Sequence, residues 1–250
     1  MKKSLKTRFY RLSLFIFSAG LLMVAACQRG HHSPVSPIGS GALLRETRNV
    51  GVFDSVEMRT ACHLFFSQGA GHKLHVEAED HILPLIHTYV RPDRTLVIES
   101  LQNFDSSAGV KVYASMRDIR GFSIFGAGAV ESQSSFSCRD LRLKLSGAYS
   151  VDMDVDADRI FTEAIGAGAI SLRGRAEYHK ITLSGAGVLR SADLDTLNST
   201  IVLNGAGSAS VRVRGTLDVT INGAGIVYYT GAPTNIRSQV YGAGQLVNLN

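Results

Sequence analysis

A three-residue phrase, Gly-Ala-Gly, punctuates the second half of the chain. It begins at Gly126, Gly147, Gly166, Gly185, Gly205, Gly223 and Gly242, at intervals of 18 to 21 residues, and only the second copy departs from it, with Tyr149 in the third place. The flanks repeat as well. Two residues before each first glycine stand Ile124, Leu145, Ala164, Leu183, Leu203, Ile221 and Val240, and four after it stand Val130, Val151, Ile170, Leu189, Ala209, Val227 and Leu246. Four before it the residue is apolar except at Thr162 and Ser238, and three before it polar except at Val202. Alternation on both sides of a small-residue corner is the period of short β-strands, and no segment here has the 3.6-residue period of a helix.

A β unit of about 19 residues cannot bury its apolar face alone, so successive copies must stack. The expected fold is therefore all-β, a parallel β-helix-like solenoid of about seven coils over residues 111–250. Its inward Ile, Leu and Val would form columns, with glycines at the corners where neighbouring backbones meet. A β-sandwich of hairpins is the competing architecture, but it does not demand so regular a period. Residues 48–110 are less regular: Val52–Met58, Leu64–Ser67, Leu74–Glu79 and Leu96–Glu99 read as strands, and Asp80 could cap a short helix through His87. Gln102–Gly109 reads as a loop, and the whole segment as an irregular cap that closes the core.

The first 26 residues hold Lys2, Lys3, Lys6, Arg8 and Arg11 and no acid, followed by fifteen apolar-rich residues from Leu12 to Ala26. That stretch is shorter than the ~20 residues a spanning helix needs and suits a signal segment. Its end, Val24-Ala25-Ala26-Cys27, resembles the bacterial lipoprotein signal, which implies lipidation at Cys27 and a membrane partner reached through the lipid. A plain signal peptide with a chance cysteine is the alternative. Gln28 is not the aspartate associated with inner-membrane retention, so the resemblance implies the outer membrane. Residues 27–47, rich in Gly, Ser and Pro, read as a flexible tether, and His31-His32 within it as solvated spacer. From Cys27 onward basic and acidic residues balance at 21 each, which removes the electrostatic case for nucleic acid.

Several groups invite chemistry. Asp152, Asp154, Asp156 and Asp158 alternate on one strand face, as a Ca²⁺ site or a glycan-cleaving acid pair would require. The glycine and distal glutamate of a calcium loop are not at the needed distance. The repeat register offers ion pairs instead, Asp154 with Arg173 and Asp156 with Arg175 on adjacent coils. Cys62 and Cys138 fit either a disulfide or two independent buried thiols. His72, His75, His81 and His87 are close in sequence, but His72 and His75 face opposite sides of a strand, poor geometry for chelation. Tyr228, Tyr229 and Tyr241 could contact a ligand or finish the last coils. The Gly-Ala-Gly phrases open no helix and precede no Lys-Ser/Thr, so they are not phosphate loops; no cofactor is expected.

The opening Arg48-Asn49-Val50-Gly51-Val52-Phe53-Asp54-Ser55-Val56, the strand Leu96-Val97-Ile98, the repeated Leu-Ser-Gly-Ala-Gly and Tyr229-Thr230-Gly231-Ala232-Pro233 resemble the GIN-domain family. That family is described as an autotransporter adhesin head of unknown function, and the resemblance covers about residues 48–250. It implies a right-handed parallel β-helix-like fold on an envelope protein and no catalytic residues. The repeats run to Gly244, so no C-terminal translocator barrel is expected. The expected function is a non-enzymatic interaction or adhesion module whose partner is a protein or polysaccharide. A glycan-acting enzyme using the Asp152–Asp158 row, or a structural stabiliser of an envelope assembly, are the alternatives.

Overall fold

The computed structural model describes residues 41–250. The signal segment, Cys27, the His31-His32 pair and most of the tether lie outside the described residues. Fifteen strands follow one another: β1 (Leu43–Arg48), β2 (Ser55–Met58), β3 (Cys62–Gln68), β4 (Lys73–Glu79), β5 (Ile86–Val90), β6 (Thr95–Ser100), β7 (Lys111–Met116), β8 (Gly121–Ser132), β9 (Phe136–Gly185), β10 (Val188–Gly205), β11 (Ser208–Val213), β12 (Thr216–Gly223), β13 (Ile226–Thr230), β14 (Asn235–Tyr241) and β15 (Gln245–Asn248). From β8 onward every pairing is parallel, and corner glycine stands over corner glycine: Gly126 pairs with Gly147, Gly185 with Gly205 and Gly205 with Gly223. This is the expected β-solenoid. It makes about six turns rather than seven, because seven corners bound six intervals.

The inner columns are those the alternation marked. Ile124, Leu145, Ala164, Leu183, Leu203 and Ile221 are buried, as are Val130, Val151, Ile170, Leu189, Ala209 and Val227. Each fully buried Leu, Ile or Val contributes about 1.5–3 kcal/mol, so repetition of a weak unit accumulates a core. In the last rung Val240 stays open, 42% exposed, while Leu246 packs half-buried against the core.

Three departures from the pattern have physical causes. Tyr149 occupies a third-glycine position yet is only 5% exposed. Its ring lies where a Cβ on Gly168 would stand, and its hydroxyl where one on Gly187 would stand. One aromatic ring therefore fills the space that two later glycines leave. Thr162, polar in an apolar column, is buried with its hydroxyl 3.0 Å from Nε2 of the fully buried His179. The other ring nitrogen, Nδ1, has no hydrogen-bond partner. Burial in the column over Ser199 drives the imidazole down to about 3 and keeps it neutral.

The first part of the domain is more regular than expected. β2 and β3 pair in parallel with β8, while β6 pairs in parallel with β2 and β7 with β3. Stacking thus continues below Gly126, but in an order that differs from the sequence: β3 lies between β7 and β8. The true cap is antiparallel, with β4 on β7, β1 on β4 and β5 on β6. Residues 43–47, read from sequence as tether, belong to β1. Their side chains are exposed and show no apolar alternation, so main-chain pairing with β4 holds them, helped by the bond between Thr47 Oγ1 and His75 Nδ1, by Arg45 over the Tyr113 ring and by the Glu46–Arg48 pair. The helix expected after Asp80 is a single 3-10 turn, Leu83–Leu85, followed by β5. Pro84 removes a backbone donor, and the branched Ile86, Thr88 and Val90 favour a strand.

The buried carboxylates of Glu57 and Glu79 in this part are each held by several donors. Glu57 accepts from Arg59 at 2.5 Å and from Arg91 at 2.7 Å. Glu79 accepts from the hydroxyls of Ser106 and Ser107 and from the Gly41 amide. It thereby ties down the loop before β7, and these bonds hold its carboxyl below the ordinary range.

Two outcomes follow. A Cβ on Gly166 (φ +115°) would fall on the Gly147 carbonyl, whereas one on Gly126 (φ +101°) would meet nothing within 4 Å. In urea titrations Gly126→Ala should cost about 1 kcal/mol, from backbone strain alone, and Gly166→Ala roughly 3 kcal/mol. His179 stays neutral in the fold well below its ordinary value of 6.5, so the unfolded chain binds more protons and stability falls with pH through that window. Between the ordinary histidine value of 6.5 and the ordinary glutamate value of 4.5, the urea midpoint should decline. Thr162→Val/His179→Leu should flatten that decline; an unchanged slope would remove His179 as its cause.

Candidate functional site

The two lowest parallel rungs are out of sequence order, and the stack becomes sequential only at β8. The β7–β8 turn at residues 117–120 and the first residues of β9 therefore crowd together. Gln68, at the end of β3, bridges them. Its amide nitrogen donates to the carbonyls of Arg117 (3.0 Å) and Ser137 (2.9 Å), and its amide oxygen accepts from the Ser137 N–H (3.0 Å). Between the two segments opens a cleft of about 480 Å³ lined by Gln68, Asp118, Ile119, Arg120, Ser137, Cys138, Arg139, Asp140 and Arg142. Ile119 is buried and forms part of the inner wall.

Three guanidinium groups line this cleft, and none is fully committed. Arg120 makes one contact, Nε to Asp54 Oδ2 at 3.4 Å. Arg142 lies 5.5 Å from the centre of the Phe161 ring, on the next rung. The Arg139 side chain makes no hydrogen bond or ion pair with any described residue. On the acidic side, Asp140 is already held by both oxygens, 2.6 and 2.9 Å from Arg159. Arg159 keeps its carboxyl below the ordinary range, with Arg142 and Arg139 adding to the effect. Asp118 forms no ion pair among the described residues.

Cys62 and Cys138 are both free thiols. Cys62 is buried in the core beside Gly128 and Cys138 lines the cleft. Burial pushes the Cys62 thiol up to about 12. Burial, then the charges of Asp140, Asp158 and Asp156, does the same at Cys138. Both stay protonated at neutral pH, which suits neither a nucleophile nor a metal ligand.

Among the described residues the acidic row forms one ion pair, and its partners differ from those the register gave. Arg173 reaches Asp152 at 2.6 Å rather than Asp154, while Asp156 and Arg175 form no ion pair. Residue counting fixes backbone register, whereas a long side chain also reaches the diagonal neighbour two positions along the same face. The ladder principle does hold elsewhere: Asp140–Arg159, Asp195–Arg214 and Asp218–Arg237 link successive rungs, at 2.6, 3.0 and 2.5 Å. In all four cases the aspartate sits on the rung nearer the N-terminus.

The histidines are dispersed. His72 meets Phe53 edge-on, His75 bonds Thr47, and His63 stacks on Phe65 beside Glu131. Among the described residues no group of three or more His, Cys, Asp or Glu is placed to hold a metal. Tyr229 packs against the core, and Tyr241 is 61% exposed.

Sequence reading missed Gln68, Arg120, Arg139 and Arg142. Each looks like an ordinary surface residue, and their convergence depends on the placement of β3 between β7 and β8. Asp152→Asn and Arg173→Ala should each shift stability by no more than about 1 kcal/mol, because the pair is half-exposed. A urea double-mutant cycle measures this; a larger coupling would assign the row a structural weight its exposure does not suggest.

Comparison with known proteins agrees with the fold. The family model described as "Putative auto-transporter adhesin, head GIN domain" matches residues 52–233. Among curated proteins none is similar in sequence. Among solved structures, a "putative adhesin" from Bacteroides fragilis NCTC 9343 superposes with a TM-score of 0.81 at 21% identity, covering 85% of this chain and 99% of that one. A "putative lipid binding protein" from Parabacteroides distasonis ATCC 8503 gives 0.67 at 16% identity, covering 85% and 99%. A "putative adhesin" from the same organism gives 0.66 at 17%, covering 86% and 100%. At these identities the likeness speaks for the fold, and the match over residues 52–233 for the family: the chain belongs to the GIN-domain family.

Proposed function

We propose that the protein is a lipid-anchored envelope protein whose solenoid is a non-catalytic adhesion or interaction module, held on the outer membrane through Cys27. The observation that carries this reading is the contrast between the inner and outer positions of the stack. Inward columns repeat the same apolar residues, whereas the outward position just before each corner glycine changes from rung to rung. It reads Phe125, Ser146, Ile165, Ser184, Asn204, Asn222 and Tyr241, so only the successive Asn204 and Asn222 repeat, joined by a hydrogen bond, and Phe125, Ile165 and Tyr241 are 47%, 62% and 61% exposed. A rigid frame with variable outer positions suits recognition. The adhesin descriptions of the family and of two structural neighbours support it.

No helix among the described residues is long and apolar enough to cross a membrane. The anchor therefore rests on the Val24-Ala25-Ala26-Cys27 sequence, with two or three acyl chains providing stable attachment. Cells labelled with radioactive palmitate should incorporate it into the wild-type chain and not into Cys27→Ser, which should leave the membrane fraction. Protease applied to intact cells should remove the solenoid if it works as an adhesin. Protection until the cells are permeabilised would leave a periplasmic interaction module and set adhesion aside.

A further inference from the structure

We propose that the cleft between the β7–β8 turn and the start of β9 binds one residue of an acidic saccharide. Its carboxylate would be taken by Arg139 and Arg142, and its hydroxyls by Gln68, Ser137 and Asp118. The inference rests on the reading of the solenoid as an adhesion module and names the ligand class for one site on it.

Charge is the first argument. Among the described residues Arg139 makes no hydrogen bond or ion pair and acts only through charge on Asp140, Arg142 adds to that charge the contact with the Phe161 ring, and Arg120 has one long contact. Guanidinium forks left free in a concave site are suited to paired bonds with a carboxylate. Asp140 does not cancel them, because Arg159 already occupies both its oxygens.

The mixed lining is the second argument. Asp118 is free and points to a ligand with hydroxyl donors, and Asp156 and Asp158, near enough to act on Cys138, disfavour a dense polyanion. A bare oxyanion would leave most of the 480 Å³ empty, a volume in the ordinary range of small-molecule sites. An acidic sugar offers one carboxylate and several hydroxyls, and so matches both kinds of group. Rigidity is the third argument. The three bonds of Gln68 fix both rims before any ligand arrives, which lowers the ordering cost of binding.

The test is calorimetric titration of the detergent-solubilised full chain with digalacturonate, beside neutral digalactoside, inorganic phosphate and a short oligoglutamate. Digalacturonate should bind saturably and more weakly at high salt, and the other three should bind at least roughly tenfold more weakly. Arg139→Gln and Arg142→Gln should each lose roughly tenfold in affinity with the melting temperature unchanged, and Arg142→Lys should restore part of the loss. Should Arg142→Gln fail to fold, Arg139→Gln, which breaks no hydrogen bond or ion pair, carries the test alone. Equal binding of phosphate or oligoglutamate would reduce the site to a general anion or acidic-peptide site and overturn the saccharide assignment. Absence of saturable binding, or binding indifferent to Arg139, would overturn the site itself. If deletion of the solenoid lowers cell adherence while Arg139→Gln changes neither adherence nor digalacturonate binding, the module reading stands and the cleft assignment falls.

Discussion

Direct stacking of one main-chain corner on the next is the contact on which the rest of the molecule depends. At the corners the backbone of each rung approaches the one before so closely that a Cβ on Gly166 would coincide with a neighbouring carbonyl. The approach keeps hydrogen bonding continuous around the bend, and β9 consequently runs unbroken from Phe136 to Gly185. With the corners in register, every inward position falls into a column and every outward position onto a face. The core is then a consequence of the corners as much as of the apolar residues that fill it.

The columns also explain how the fold tolerates local exceptions. Tyr149 at a glycine position is compatible with the stack because the next two rungs keep glycine beneath its ring and hydroxyl. His179 is compatible with an apolar column because Thr162, one rung earlier, supplies a hydrogen-bond partner. Each exception is compensated by a residue about 19 positions away, the distance of one turn. Interaction between adjacent turns is the unit of stability in such a repeat. The four ion pairs follow the same rule on the outside, where solvent makes them weak.

The N-terminal part ends the stack differently. Two rungs are inserted out of chain order, and antiparallel β1, β4 and β5 close them, supported by the Glu57 and Glu79 networks. This change of order brings the β7–β8 turn beside the start of β9, and the Arg-lined cleft opens between them. The Arg-lined cleft thus lies where the regular pattern begins.

The repeat was legible in the sequence because its period equals one turn of the solenoid. Glycine spacing, inward columns and parallel pairing all follow from it, since a short β unit can be stabilised only by its neighbours. The cap strands were legible in part, from alternation at Leu64–Ser67 and Leu74–Glu79. Their order was not, because strand pairing across unlike segments leaves no period to count. Register predicted cross-rung ion pairs in kind, but the choice of Asp152 by Arg173 depended on side-chain reach. The cleft was invisible in sequence: Gln68, Arg120 and Arg139 are far apart along the chain, and each is unremarkable alone. Local sequence determined the repeating frame because its interactions recur at one fixed separation. Only the tertiary structure decided the cleft, because it forms where that recurrence is broken.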